Sequence, residues 1–223
     1  QPAFTYPGWV KDTVRTGKAL AESDFRINAT DGKMTAHVIG VIENQAPTRH
    51  LRLEVTSLNG EIAADIPRDI AKIALVERHR GTGRVQVGLV QGFGFNERCA
   101  VGSTVAHDSH HMIVVGTDDR DMALAANELR KTGGGQVVVR SGKVIGLVDL
   151  PIAGLMSNEP AETVARKAAT VLQGFRTCGC TLNNPNMQLS LLALVVIPEL
   201  RISDLGLVDV TRFEFIPLIE SQS

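Results

Sequence analysis

The chain has 223 residues, a net charge of −1, 43% hydrophobic and 21% charged residues. That length and balance give one compactly folded unit and exclude a disordered chain. The near-zero charge and the 4% aromatic content leave no electrostatic pull toward nucleic acid or an anionic membrane, and no base-stacking platform.

Three cysteines, Cys99, Cys178 and Cys180, have no disulfide-framework spacing. They read as free, packed thiols in a reducing, cytoplasmic compartment. Residues 1–24, with Pro2, Pro7 and Gly8 near their start, read as an extended linker from a preceding domain, and residues 25–223 as one domain. Lys33 to Ile42 and Arg49 to Val55 alternate apolar and polar residues and predict two strands, with Asn44-Gln45 as a simple turn. Asn59-Gly60 is a tight-turn signal. Ile70 to Glu77 and Arg84 to Val90 predict two more strands around the basic loop Arg78-His79-Arg80-Gly81-Thr82-Gly83.

A helix is predicted from Asp118. Asp119 and Asp121 suit its positive end, Arg130 and Lys131 its last turn, and Met122, Ala125, Ala126 and Leu129 form its apolar face. Gly133-Gly134-Gly135 ends it, and a hairpin with a turn at Ser141-Gly142 follows to Leu150. A second helix is predicted over about Glu159 to Thr177, with Ser157-Asn158-Glu159 as its cap and Pro160 in its first turn. A third is predicted over Met187 to Ile197, and a closing strand over Leu207 to Leu218. The apolar run Leu189 to Ile197 is far short of the roughly 20 residues a membrane span needs. Early hairpins and later helices give an α+β fold, a mostly antiparallel sheet covered by helices in a single domain.

The sequences that would name an activity by themselves are absent. There is no phosphate-cradling Gly-x-x-x-x-Gly-Lys-Ser/Thr, and Gly92-Phe93-Gly94 lacks the third glycine of a dinucleotide fingerprint. No Gly-x-Ser-x-Gly elbow, His-Glu-x-x-His pair or deaminase-type zinc signature occurs. Cys178-Gly179-Cys180 has the wrong spacing for zinc.

The strongest candidate is Ser103 to His111, where three of six histidines, Asp108 and Ser109 fall between two β-branched stretches. His107 and His110 could shuttle protons or ligate a metal, with Asp108 fixing a tautomer. They could equally satisfy loop backbone groups, which is the better reading for His111. In a strand His107 and His111 would share one face and His110 the other, so the three converge only if the segment turns. Arg78 and His79 could form a clamp for an anion or substrate, against an ordinary charged surface loop.

Several stretches, in order, carry a resemblance that spans the chain: Tyr6-Pro7-Gly8-Trp9-Val10, Val76 to Gly83, Ser103 to His110, Leu150 to Ser157, Ile197-Pro198-Glu199-Leu200 and Gly206 to Val210. Together they resemble the C-terminal domain of bacterial adenine deaminases, members of the amidohydrolase superfamily. His111 departs from the pattern, where Asn is more usual.

The resemblance implies a longer enzyme that converts adenine and water to hypoxanthine and ammonia. Its manganese or iron would be bound by a TIM-barrel domain that opens with His-x-His, a motif absent from these residues. It implies no metal ligand and no catalytic residue assigned in this chain, which alone would be inactive, and a homo-oligomeric assembly. Arg78, His79, His107, Asp108, Ser109 and His110 would then face the barrel mouth beside the adenine. A purely structural or oligomerisation domain, or a stand-alone small-molecule or metal-binding protein, are the other readings the residues leave open.

Overall fold

The computed structural model describes residues 5–220. Its strands are β1 (Ile27–Asn28), β2 (Gly32–Val41), β3 (Thr48–Leu58), β4 (Glu61–Ile62), β5 (Ile70–Val76), β6 (Val85–Gln91), β7 (Cys99–Ser103) and β8 (Met112–Gly116). Helix α1 (Asp119–Thr132) follows, then β9 (Gly135–Arg140), β10 (Lys143–Asp149), α2 (Ala161–Thr177), α3 (Pro185–Leu191), β11 (Leu200–Ser203), β12 (Gly206–Asp209) and β13 (Glu214–Ile216).

Ten strands form one sheet in the order β1-β4-β3-β2-β6-β5-β8-β7-β9-β10, antiparallel throughout except where β2 meets β6. The α+β expectation holds. Alternation along the strands sends side chains to two covered faces. Ala100, Met112, Val114, Val137 and Val139 pack with Met122, Ala125, Ala126 and Leu129 of α1. Val101, Ile113, Val115 and Val138 face the other way, toward Val171 and Phe175 of α2, Leu189 of α3 and the three-stranded sheet β11-β12-β13. Strand β5 is buried along its whole length because both of its faces are covered.

Local chemistry sets the early elements. Asn59 and Gly60 both have positive φ, at 55° and 80°, the backbone a type I′ hairpin turn requires. Asp118 caps α1 by accepting from the Asp121 N–H, and Gly133 closes it in the left-handed region.

Four expectations need correction. Helix α2 begins at Ala161, with Pro160 as a cap that offers no side-chain bond. Ser157 instead accepts from the Glu159 N–H before the helix starts. Helix α3 stops at Leu191 rather than Ile197: the Leu191 carbonyl accepts from Arg201 Nη1 and from the Leu194 N–H, in place of the Val195 N–H that a continued helix would bring to it. The closing segment is two strands, β12 and β13, since Asp209 accepts from Thr211 and Arg212 and folds the chain into a turn. Leu200–Ser203 is a strand with no sequence signal of its own.

Of the segment read as a linker, residues 1–4 lie outside the described residues. Val14, Thr16 and Leu20 are buried in the domain, and Asn127 of α1 exchanges two hydrogen bonds with the Leu20 backbone. The three cysteines are free and buried. No helix among the described residues is long and apolar enough to cross a membrane.

Where α2 crosses β10, the backbones touch at Gly146: a Cβ there would sit 2.6 Å from the Thr170 carbonyl oxygen. Gly146→Ala is therefore expected to lower stability by about 1–3 kcal/mol, the cost of forced overpacking. Chemical denaturation checks it through the unfolding midpoint.

Candidate functional site

At one end of the large sheet, β5 leaves at Val76, β7 leaves at Ser103, β8 enters at Met112 and β10 leaves at Asp149. The loops 77–84, 104–111 and 150–156 meet there, crossed by residues 10–17 of the N-terminal segment.

Glu77 turns its carboxylate inward and is 2% exposed. It accepts from the N–H groups of His79 (2.6 Å), Arg80 (2.8 Å) and Thr82 (3.0 Å), and from the Thr82 hydroxyl at 2.9 Å. Burial pushes its pKa up, but these bonds to the ionised form prevail and bring it to about 2.

Arg78, 1% exposed, donates from Nε to the His110 carbonyl (2.5 Å), from Nη1 to the Thr13 carbonyl (3.0 Å) and from Nη2 to the Ala153 carbonyl (3.2 Å). Burial lowers its pKa to about 10. Its guanidinium is buried and held by carbonyls inside the protein, so Arg78 shapes the site from beneath its surface.

The histidine segment does turn. His110 has φ of 52°. The Ala106 N–H donates to His110 Nδ1 at 3.2 Å, the His110 N–H to the Ala106 carbonyl at 2.8 Å, and the His107 N–H to the Ser190 carbonyl of α3 at 2.8 Å. His79 Nε2 donates to the Ser109 carbonyl at 2.7 Å, which ties the two candidate loops together. The His107 and His110 rings lie 5.3 Å apart, and those of His79 and His111 4.7 Å apart.

Burial lowers the pKa of His110, helped by His107 and Arg78 nearby. It also lowers that of His111, against the opposing pull of Asp204. Both rings are thereby biased toward the neutral form at physiological pH.

The structure thus joins His79, His107, Asp108, Ser109 and His110 on one face and places Arg78 beneath them. Asp108 and Ser109 are exposed and line a depression of about 310 Å³ with Ala193, Val195, Ser203 and Asp204. Larger depressions, of about 460 and 520 Å³, lie elsewhere, against Arg98 and Asp121 and along Val55 to Ile70. The histidine face is therefore an open wall. It can offer imidazoles, a carboxylate and a hydroxyl to a group placed against it.

Sequence reasoning missed Asp204, whose Oδ1 lies 3.6 Å from His111 Nε2. Thr104 lies inside the Ser103 to His111 run, but no role for it is legible there: its buried hydroxyl donates to the Gly154 carbonyl at 2.6 Å and accepts from the Gly135 N–H at 2.8 Å. Asp204 arrives from a distant hairpin, with no local signal.

With this geometry in place, comparison with known proteins decides the family. The model of the adenine deaminase C-terminal domain matches residues 45–214. The chain belongs to the adenine deaminase C-terminal domain family. It is 60% identical to an adenine deaminase of Roseobacter denitrificans, over 99% of this chain and 37% of that protein. It is 56% identical to adenine deaminase 3 of Rhizobium meliloti, over 96% and 36%. A Moorella thermoacetica adenine deaminase is 47% identical, over 98% and 37%. The chain thus spans about 37% of the length of the curated relatives it matches, as a C-terminal domain of an adenine deaminase does.

Two outcomes follow for this family member. Replacing Arg78 with Lys removes the fork that holds three loops, and each buried carbonyl left unpaired costs about 1–3 kcal/mol. Amide exchange should accelerate together in residues 10–16, 104–111 and 150–156. The folded pKa of Glu77 lies below its ordinary value of 4.5. Its stabilisation is accordingly present above about pH 4.5 and is lost as pH falls toward 2. Glu77→Gln should lower stability at neutral pH and flatten the acid limb of the denaturation midpoint between those values.

Proposed function

We propose that this domain serves a longer adenine deaminase, in which a metal-bearing amidohydrolase barrel converts adenine and water to hypoxanthine and ammonia. The observation that carries the reading is the single open wall at the sheet end, where His79, His107, Asp108, Ser109 and His110 converge on rigid loops. Placed over a barrel mouth, such a wall excludes water and offers hydrogen bonds to the purine or to carboxylates around the metals. Trp9 and Met156, 74% and 57% exposed, sit on segments joined by the Ala153 N–H to Val10 carbonyl bond and supply apolar surface at the same end.

The manganese or iron of this reading belongs to the barrel. Among the described residues no group of three or more His, Cys, Asp or Glu is arranged to hold a metal ion. The wall's own nitrogens are partly committed, His79 Nε2 to Ser109 and His110 Nδ1 to Ala106. These residues do not fit the metals, and no step of the reaction runs through them here. Assembly as a cytoplasmic homo-oligomer belongs to the same reading, and the free buried thiols suit a reducing compartment.

The test is His79→Ala and His107→Ala in the full-length polypeptide. Turnover of adenine should fall at least tenfold with the melting temperature held, in line with the about 10–100-fold lost with groups that orient a metal ligand. Unchanged kcat and KM would sink the proposal. A changed oligomeric state or melting temperature with intact catalysis would assign the face to structure and assembly instead.

A further inference from the structure

His37 and His50 play no part in the loop face. In the β2–β3 ladder His37 stands opposite Arg52 and Ile39 opposite His50, so the two imidazoles are diagonal neighbours on one side of the sheet. His37 Nδ1 lies 2.7 Å from His50 Nε2, with ring centroids 4.8 Å apart. The outer nitrogens face carboxylates: His37 Nε2 is 3.7 Å from Glu220 Oε1, and His50 Nδ1 is 3.6 Å from Asp209 Oδ2.

At 2.7 Å one imidazole donates its N–H to the other, and the carboxylates at the outer nitrogens lie just beyond hydrogen-bond length. An ion that took the place of the shared proton would meet both inner nitrogens, with the outer N–H groups turned toward the carboxylates. The surroundings supply the matching charge. Asp209 and Glu220 flank the rings, Glu199 accepts from the His50 N–H at 2.6 Å, and Arg52 neutralises only Glu220. The side chains of His37 and His50 are 14% and 20% exposed, which leaves a way in.

We propose that His37 and His50 form a two-imidazole site for a divalent transition-metal ion, independent of any metal held elsewhere in the polypeptide. Imidazole nitrogens select ions of the zinc, nickel and copper class over calcium or magnesium. Metal–nitrogen distances of about 2.0–2.1 Å require the inner nitrogens to stand roughly 3 Å apart or slightly more, a small opening of the rings. Two strands of one ladder hold the pair, and water completes the coordination. The carboxylate behind each histidine is the arrangement that orients metal-bound imidazoles. Because Asp209 belongs to β12 and Glu220 to the C-terminal segment, a bound ion fastens the small sheet and the chain end to β2 and β3.

The experiment is calorimetric titration of the metal-stripped, tag-free 223-residue chain with zinc. One ion per chain is expected, with a rise in melting temperature. His37→Gln and His50→Gln should each weaken binding at least tenfold, and Asp209→Asn or Glu220→Gln by about 10–100-fold. His107→Gln should leave it unchanged. Nitrogen-15 histidine spectra of the unaltered chain read the same site without a variant: zinc should shift His37 Nδ1 and His50 Nε2 and spare the other four histidines. No binding, binding that survives both glutamine variants while the fold is retained, or shifts confined to His79, His107, His110 or His111 would overturn the proposal.

Discussion

Arg78 carries its charge almost wholly out of water, and among the described residues no carboxylate pairs with it. An isolated buried cation is costly, and its cost falls only when the surroundings present aligned dipoles. Three carbonyls, from Thr13, His110 and Ala153, do this. Each comes from a different segment, so the guanidinium is satisfied only when all three loops take their native paths. Glu77, the preceding residue, repeats the arrangement with opposite sign, its carboxylate wrapped by N–H groups of the 79–82 turn. Two adjacent residues thus fix the loops that carry the candidate site. The same solution recurs at Arg201, fully buried and donating to the carbonyls of Ala46, Leu191, Ile197 and Pro198. That second arginine welds α3 and the small sheet to the turn after β2.

These buried charges divide the molecule between an apolar body and polar ends. The body is a sheet covered on both faces, and it accepts only apolar side chains along most of β5 and all of β8. The ends cannot be held by hydrophobic contact, because the strands have run out and the backbone still needs partners. Arginine, with donors in a fixed fork, supplies several partners at once where lysine would supply a point charge. The loops consequently present His79, His107, Asp108 and Ser109 from a rigid base, and the site side chains themselves remain toward solvent. Preorganisation comes from beneath the face and leaves its outer surface open.

Elements governed by neighbours in sequence are legible in the sequence alone. Helix α1 is one, because Asp118, the periodic Met122 to Leu129 stripe and Gly133 all act within their own turns. The Asn59-Gly60 and Ser141-Gly142 hairpins are others, since their turn residues carry positive φ. The polar cluster at 103–111 stands out by composition, and its partnership with His79 by resemblance. What stays hidden depends on distant residues. The end of α3 is set by Arg201, the break between β12 and β13 by Asp209, and the fate of Arg78 by carbonyls 32 to 75 positions away. An arginine in a basic, glycine-containing loop reads as a surface clamp, and only the tertiary path shows it to be an internal brace.

The distinction bears on how such a domain acts. A face with no enclosed pocket of its own gains specificity only when a second surface closes over it, and closure strengthens every hydrogen bond it offers by removing water. Side chains that had to be ordered at that moment would take their entropy from the binding energy. Here the ordering is already met by folding, through Arg78, Glu77 and the His79–Ser109 bond. The bias of His110 toward a neutral ring matters for the same reason: in the proposed enzyme a neutral imidazole would add no charge repulsion toward the barrel's metal ions, and with Nδ1 accepting from Ala106 its Nε2 can still donate a hydrogen bond. In the proposed enzyme the domain would therefore contribute orientation and desolvation and leave the ions and the hydrolytic step to the barrel. Its contribution resides in the loop paths that two buried charges enforce.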